Sequence, residues 1–119
     1  MTVHVDVWLR GSDFATTQSI DRIVRDPKDW REHDVRSVLE GMLQVMHRLK
    51  HPHEEEPPVF LRGLSWIVNP FEDGGVLIAV EIAMGAAIAG PFDIEQSVLE
   101  AMIARVLARP PHLHSDAVH

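Results

Sequence analysis

Apolar and polar side chains alternate strictly from Val3 to Gly11, where the sequence reads VHVDVWLRG. This alternation predicts a strand, because successive side chains of a strand point to opposite faces of the sheet. One face of the strand is fully apolar and belongs in the core: Val3, Val5, Val7 and Leu9. The opposite face mixes charged, polar and aromatic side chains: His4, Asp6, Trp8 and Arg10.

Two later segments repeat apolar residues at the 3.6-residue spacing of a helix. The first begins at about residues 31–34 and ends at Lys50, where the prolines of HPHEEEPP interrupt it. Its apolar stripe consists of Val35, Val38, Leu39, Met42, Val45, Met46 and Leu49. The second begins at Asp93, which we expect to cap the helix with Gln96 as its capping-box partner.

A hairpin is predicted between these helices, where two apolar runs flank Asn-Pro and Asp-Gly-Gly. If Asp73 and Gly74 form its turn, Trp66 pairs with Glu81, and that pairing sets the register of both strands. The face that this register assigns to the core holds Leu61, Ile67, Ile78, Val80 and Ile82. The opposite face holds Phe60, Arg62, Leu64, Trp66, Val68, Ala79 and Glu81.

Two further segments carry weaker patterns. Residues 14–24 place Ile20, Ile23 and Val24 at helical spacing, but the β-branched Thr16 and Thr17 suit a strand that pairs back on the first one. We expect a short helix there and keep the strand as the alternative. The small residues of GAAIAGP, residues 85–91, predict a flexible connection.

These elements give the order β-α-α-β-β-α and an α+β fold: a mainly antiparallel sheet with helices packed on one face and the other face open. We expect one domain over residues 1–109 and a flexible C-terminal tail over residues 110–119. The order resembles that of one type of KH domain. The GxxG loop with which that type binds nucleic acid has no equivalent here, since the chain between the helices reads RDPKDW.

Charge and composition narrow the function classes. The chain carries 11 basic and 18 acidic side chains, a formal net charge of −7, which opposes binding to nucleic acid or to an anionic membrane. The same charge permits a basic protein partner, as for acidic immunity proteins and secretion chaperones. Without cysteine there are no disulfides and no thiol catalysis. Since no signal peptide or apolar run of about 18 residues is present, we expect a cytoplasmic protein.

The open face is the candidate functional surface, because contiguous exposed apolar patches mark interaction sites. Its candidate residues are His4, Asp6, Trp8, Arg10, Phe60, Arg62, Leu64, Trp66 and Glu81. We expect a homodimer formed through this face, with the two tryptophans as anchors and the arginine at position 62 paired with Glu81. Two alternatives stay open: a different, basic protein partner, or a small ligand or substrate bound on the same face.

No pattern in the sequence predicts catalysis, a cofactor or a metal. A nucleophile elbow, a phosphate loop and an HExxH motif are all absent. His51 and His53 lie in HPHEEE, and His112 and His114 in HLH, but neither pair has the i, i+4 spacing of ligands on a helix. His47 is interpreted as complementing the helix dipole. The sequence therefore predicts a non-enzymatic protein–protein interaction module that self-associates.

Overall fold

A computed structural model describes residues 2–21, 23–55 and 59–109. These residues form a five-stranded antiparallel sheet and two α-helices, which confirms the predicted α+β class. The segment predicted as a C-terminal tail, residues 110–119, lies outside the described residues.

The elements follow one another in an order that differs from the predicted one. The strands are β1 (Val3–Leu9), β2 (Thr16–Ile20), β3 (Ser65–Pro70), β4 (Val76–Ile82) and β5 (Gly85–Phe92). The helices are α1 (Glu32–Lys50) and α2 (Gln96–Ala108), and a short 3-10 turn spans Pro27–Asp29. In the sheet the strands lie in the order β2-β1-β5-β4-β3. Two strands that were expected as helix or connection account for the difference from β-α-α-β-β-α.

Residues 16–20 form β2, so the expected short helix is wrong and the alternative is correct. β2 pairs antiparallel with β1, with Ile20 opposite Val3 and Thr16 opposite Val7. Ile20 enters the core at 4% exposure, whereas Val24 is 81% exposed. The helical spacing of these apolar residues was therefore misleading. The β-branched threonines lie in a strand, as their intrinsic preference favours.

The predicted flexible connection GAAIAGP is β5, the central strand of the sheet. Its small residues allow β1 and β4 to approach closely on either side. A Cβ on Gly85 would collide with the backbone carbonyl oxygen of Trp8. Ala87 and Ala89, in contrast, are fully buried beneath the helices. The predicted flexible connection is wrong because strand preferences describe how well a side chain fits a half-buried strand. β5 is a central strand, and small residues suit it because it has a neighbouring strand on each edge and helices above it.

Both helices cover the same face of the sheet. α1 packs on β1, β2 and β5, and α2 packs on β3 and on α1. The sheet residues buried beneath them are Val3, Val5, Val7, Ile20, Val68, Val76, Ile78, Val80, Ala87, Ala89 and Phe92. The ring of Trp30, just before α1, closes one end of this core with its centroid 4.8 Å from that of Phe92. In the described part of the chain, no helix is long and apolar enough to cross a membrane.

Polar contacts fix the two helices to each other and to the sheet. The Glu32 carboxylate at the start of α1 lies 2.6 Å from both Arg105 Nε and Arg109 Nη2 at the end of α2. The hydrogen bond from Arg105 holds the pKa of Glu32 below its usual value. At the other end of α2 the predicted Asp93 cap is wrong, because Glu95 occupies the cap position. The Gln96 side chain instead donates to the Val68 carbonyl oxygen of β3 at 2.9 Å.

Replacing Gly85 by alanine tests the close approach of β5 to β1. We expect Gly85→Ala to lower the free energy of unfolding by about 3 kcal/mol, because the new Cβ must displace backbone rather than a mobile side chain. Gly63→Ala is the matched control. Gly63 has φ +69° and open space around it, so only the left-handed conformation is penalised, by about 1 kcal/mol. Urea denaturation of both variants measures the difference, and equal losses would contradict the packing described.

Candidate functional site

The face of the sheet opposite the helices is not covered by any described segment. We call this surface the open face. The strand registers place on it Thr17 and Ser19 of β2, His4, Asp6 and Trp8 of β1, Ala86, Ile88 and Gly90 of β5, Leu77, Ala79 and Glu81 of β4, and Ser65, Ile67 and Asn69 of β3.

Apolar side chains occupy the middle of the open face. Ile88 lies on the central strand, paired with Asp6 on one side and with Ala79 on the other. Trp8 is 37% exposed and Ile67 is 52% exposed, so large apolar side chains on both sides of the centre meet solvent. A contiguous apolar patch of this kind is typical of a surface that binds another protein or a ligand.

Polar residues border this apolar centre. On the β2 side the Thr17 hydroxyl donates to the Asp6 carboxylate at 2.7 Å. His4 lies opposite Ser19 in the β1–β2 pairing, but it makes no hydrogen bond to Ser19 or to Asp6 within the described chain. On the β3 side the border consists of Ser65 and Asn69. The hydrogen bond from Thr17 to Asp6 links β2 to β1 on this face.

The structure places four of the nine predicted site residues on the open face: His4, Asp6, Trp8 and Glu81. Arg10 follows β1, and its side chain donates from Nε to the Ala83 carbonyl oxygen at 2.8 Å, in the turn between β4 and β5. It therefore braces the end of the sheet beside the open face.

The predicted residues Phe60, Arg62 and Leu64 lie before β3, in a segment that is not a strand. The Arg62 guanidinium lies over the Phe60 ring, 5.8 Å from its centroid, and Leu64 packs against the core. No ion pair joins Arg62 to Glu81 in the described part of the chain, so the predicted pairing is wrong. Glu81 needs no such partner, because it is exposed to solvent.

The register of the β3–β4 hairpin differs by one residue from the predicted one. Trp66 pairs with Val80 and Ile67 with Ala79, so Trp66 and Val68 face the helices while Ile67 lies on the open face. The cause is the turn. Pro70 and Val76 form the last pair, and residues 71–75 make a longer loop whose Gly74 and Gly75 both have positive φ. A two-residue turn at Asp73-Gly74 would have given the opposite parity.

Sequence reasoning missed the whole β5 contribution to the open face, including Ile88, together with Leu77 and Ile67. The available signal was the alternation of GAAIAGP, in which Ile88 shares a parity with Ala86 and Gly90. Because those residues are small, the alternation was not visible as an apolar and polar pattern.

A cavity elsewhere in the molecule does not change this assignment. It has a volume of about 240 Å³ and lies between β2 and α1, with Ser19, Gly41, Gln44 and Arg48 among the lining residues. Pockets for small organic ligands usually measure about 300–1,000 Å³ and have apolar walls. The polar lining and small size of this cavity give no support to a small-ligand site there.

No protein-family model, no curated protein and no solved structure matches this chain. The function is therefore argued from the geometry of the open face.

Alanine substitutions at two adjacent residues of β3 test the hairpin register. Trp66→Ala is expected to lower the free energy of unfolding by about 2 kcal/mol, because Trp66 packs partly buried beneath α2. Ile67→Ala is the matched control and should change stability by no more than about 0.5 kcal/mol in dilute protein, because Ile67 is half exposed. Chemical denaturation distinguishes the two registers. The reverse order of effects would restore the sequence-based register.

Proposed function

We propose that this protein is a self-association module in which two copies bury their open faces against each other. The observation that carries the proposal is the arrangement of that face, an apolar centre at Ile88 with a polar border. Protein interfaces have the same anatomy, a desolvated apolar core within a polar rim. Symmetric dimers are also the commonest assembly of small soluble proteins.

The size of the open face fits a dimer interface. The five strands are 5 to 8 residues long, which averages about 22 Å, and they lie about 4.8 Å apart, so the face measures about 530 Å² before side-chain relief is counted. Two such faces bury about 1,050 Å² together, just above the minimum of about 1,000 Å² that a biological interface needs. Use of the whole face is therefore required, and a partner that covered only one strand would bury too little.

The strand order identifies the centre of this interface. Because β5 is the middle strand, a two-fold axis through the face brings the β5 strands of the two copies together. Ile88 is the large side chain nearest that axis, between Ala79 and Asp6. Residues at the centre of an interface contribute most of the binding energy. Trp8 keeps its predicted role as an anchor, whereas Trp66 does not, since it belongs to the core.

Ile88→Lys tests this centre directly. We expect the substitution to weaken dimerisation by at least about 100-fold, or about 3 kcal/mol, because each copy would bring an ammonium into the apolar centre, and its desolvation costs free energy even beside the Asp6 carboxylate. Sedimentation equilibrium over a range of protein concentrations measures the effect, and circular dichroism confirms that the variant is folded.

Val98→Lys is the control for this experiment. Val98 is 46% exposed on α2, which packs on the other face of the sheet, so the same charge there should leave the dimer intact. A dimer that survives Ile88→Lys but dissociates in Val98→Lys would move the interface to the helices. A dimer that survives both would contradict the proposal.

The salt dependence of association distinguishes a second copy from a basic partner. Each chain carries a net charge of −7, and Asp6 and Glu81 lie on the open face itself. Added salt screens this like-charge repulsion, so the homodimer should tighten between about 0.05 and 0.5 M NaCl. A complex with a basic protein would weaken over the same range. Light scattering at fixed protein concentration measures the trend, and self-association that weakens with salt would argue against apolar contact between two acidic faces.

A further inference from the structure

Two histidine rings lie together at the end of α1. His51 follows the helix as its C-terminal cap, and its backbone N–H donates to the His47 carbonyl oxygen at 2.8 Å. This last turn places the two side chains at i, i+4 positions, with ring centroids 4.8 Å apart. Residues at this spacing share one face of a helix, which is the arrangement by which paired histidines bind a single metal ion.

The nitrogen atoms of the pair differ in their hydrogen bonds. The Glu54 carboxylate lies 3.0 Å from His51 Nδ1, which fixes the ring and directs Nε2 away as the free ligand atom. A carboxylate bound to the second nitrogen of a ligating histidine is the usual support of a metal site. His47 Nε2 is buried and has no hydrogen-bond partner in the described structure, and a buried nitrogen without a partner calls for an explanation.

We propose that His47 and His51 bind one divalent transition-metal ion, with Glu54 as the positioning residue for His51. Imidazole is a suitable ligand for zinc, nickel and copper. Within residues 2–21, 23–55 and 59–109, no group of three His, Asp or Glu side chains is arranged to hold a metal. The site is therefore a two-ligand chelate that leaves its remaining coordination positions open to water or to another molecule.

The pair was missed from the sequence because the helix was taken to end at Lys50. His51 was then assigned to the connection and His47 to the dipole, although the cap residue continues the helical spacing. The proposal goes beyond self-association and is independent of it, since α1 packs on the face opposite the open face.

Zn²⁺ titration of the full chain tests the site, with the histidine ring signals followed by ¹H–¹⁵N NMR. We expect the signals of His47 and His51 to shift together and to saturate at one equivalent of Zn²⁺. Thermal unfolding gives a second measurement. A chelate that needs the helical geometry binds only the folded chain and raises Tm, whereas a histidine that binds equally in the unfolded chain does not.

Three variants locate the site. His47→Gln should weaken Zn²⁺ binding by about 100-fold and abolish the Tm rise, because the gain from two linked ligands is lost. Glu54→Gln should weaken it by about 10-fold or more while both rings still shift. His53→Gln is the matched control, since His53 is exposed beside the pair, and should leave binding unchanged.

Two results would overturn the proposal. One is that the first equivalent of Zn²⁺ shifts other histidines and leaves His47 and His51 unchanged in the wild-type chain. The other is that His47→Gln binds as tightly as the wild type. The first result needs no variant, so it remains decisive even if His47→Gln fails to fold.

Discussion

β5 pairs with β1 on one edge and with β4 on the other, and these two pairings make a single sheet possible. They join two separate hairpins, β1–β2 and β3–β4, into one sheet. An isolated hairpin is marginally stable in water, and the helices need a continuous apolar surface to cover. Gly85, Ala87 and Ala89 make the join possible because they let backbone and helices approach closely. The functional surface has the same origin, since the open face exists only once the five strands are continuous.

The two faces of this sheet differ in what covers them: the helices pack on one face, and no described segment covers the other. On the helix side, large apolar residues are buried, and contacts such as Glu32 with Arg105 fix α1 against α2. On the open side, Ile88 has the small Ala79 beside it on β4 and Asp6 beside it on β1, and the small residues leave room for a second sheet to pack at the usual distance of about 10 Å. The proposed metal-binding pair at the end of α1 lies on the helix side, so the proposed assembly and the proposed metal binding would use separate surfaces.

Much of the fold could be predicted from the sequence, and the errors have specific physical causes. Strict alternation identified β1 and its exposed polar face, and the 3.6-residue spacing identified α1 to within one or two residues. β5 was not recognised, because most of its residues are glycine and alanine, which have a low strand preference and hide the alternation that Ile88 belongs to. The open face was predicted in part, since Trp8 and Glu81 lie on it. Because the β3–β4 turn is longer than predicted, Ile67 lies on the open face and Trp66 faces the helices, the reverse of the prediction. A turn longer by an odd number of residues inverts every side chain beyond it.

Native mass spectrometry shows whether a second copy of the chain covers the open face. We expect a species of twice the 13.4 kDa chain mass that persists on dilution to low micromolar protein. A monomer at every concentration would contradict this expectation. A monomer that carries a reproducible organic adduct would also contradict it and would favour a small-ligand function instead.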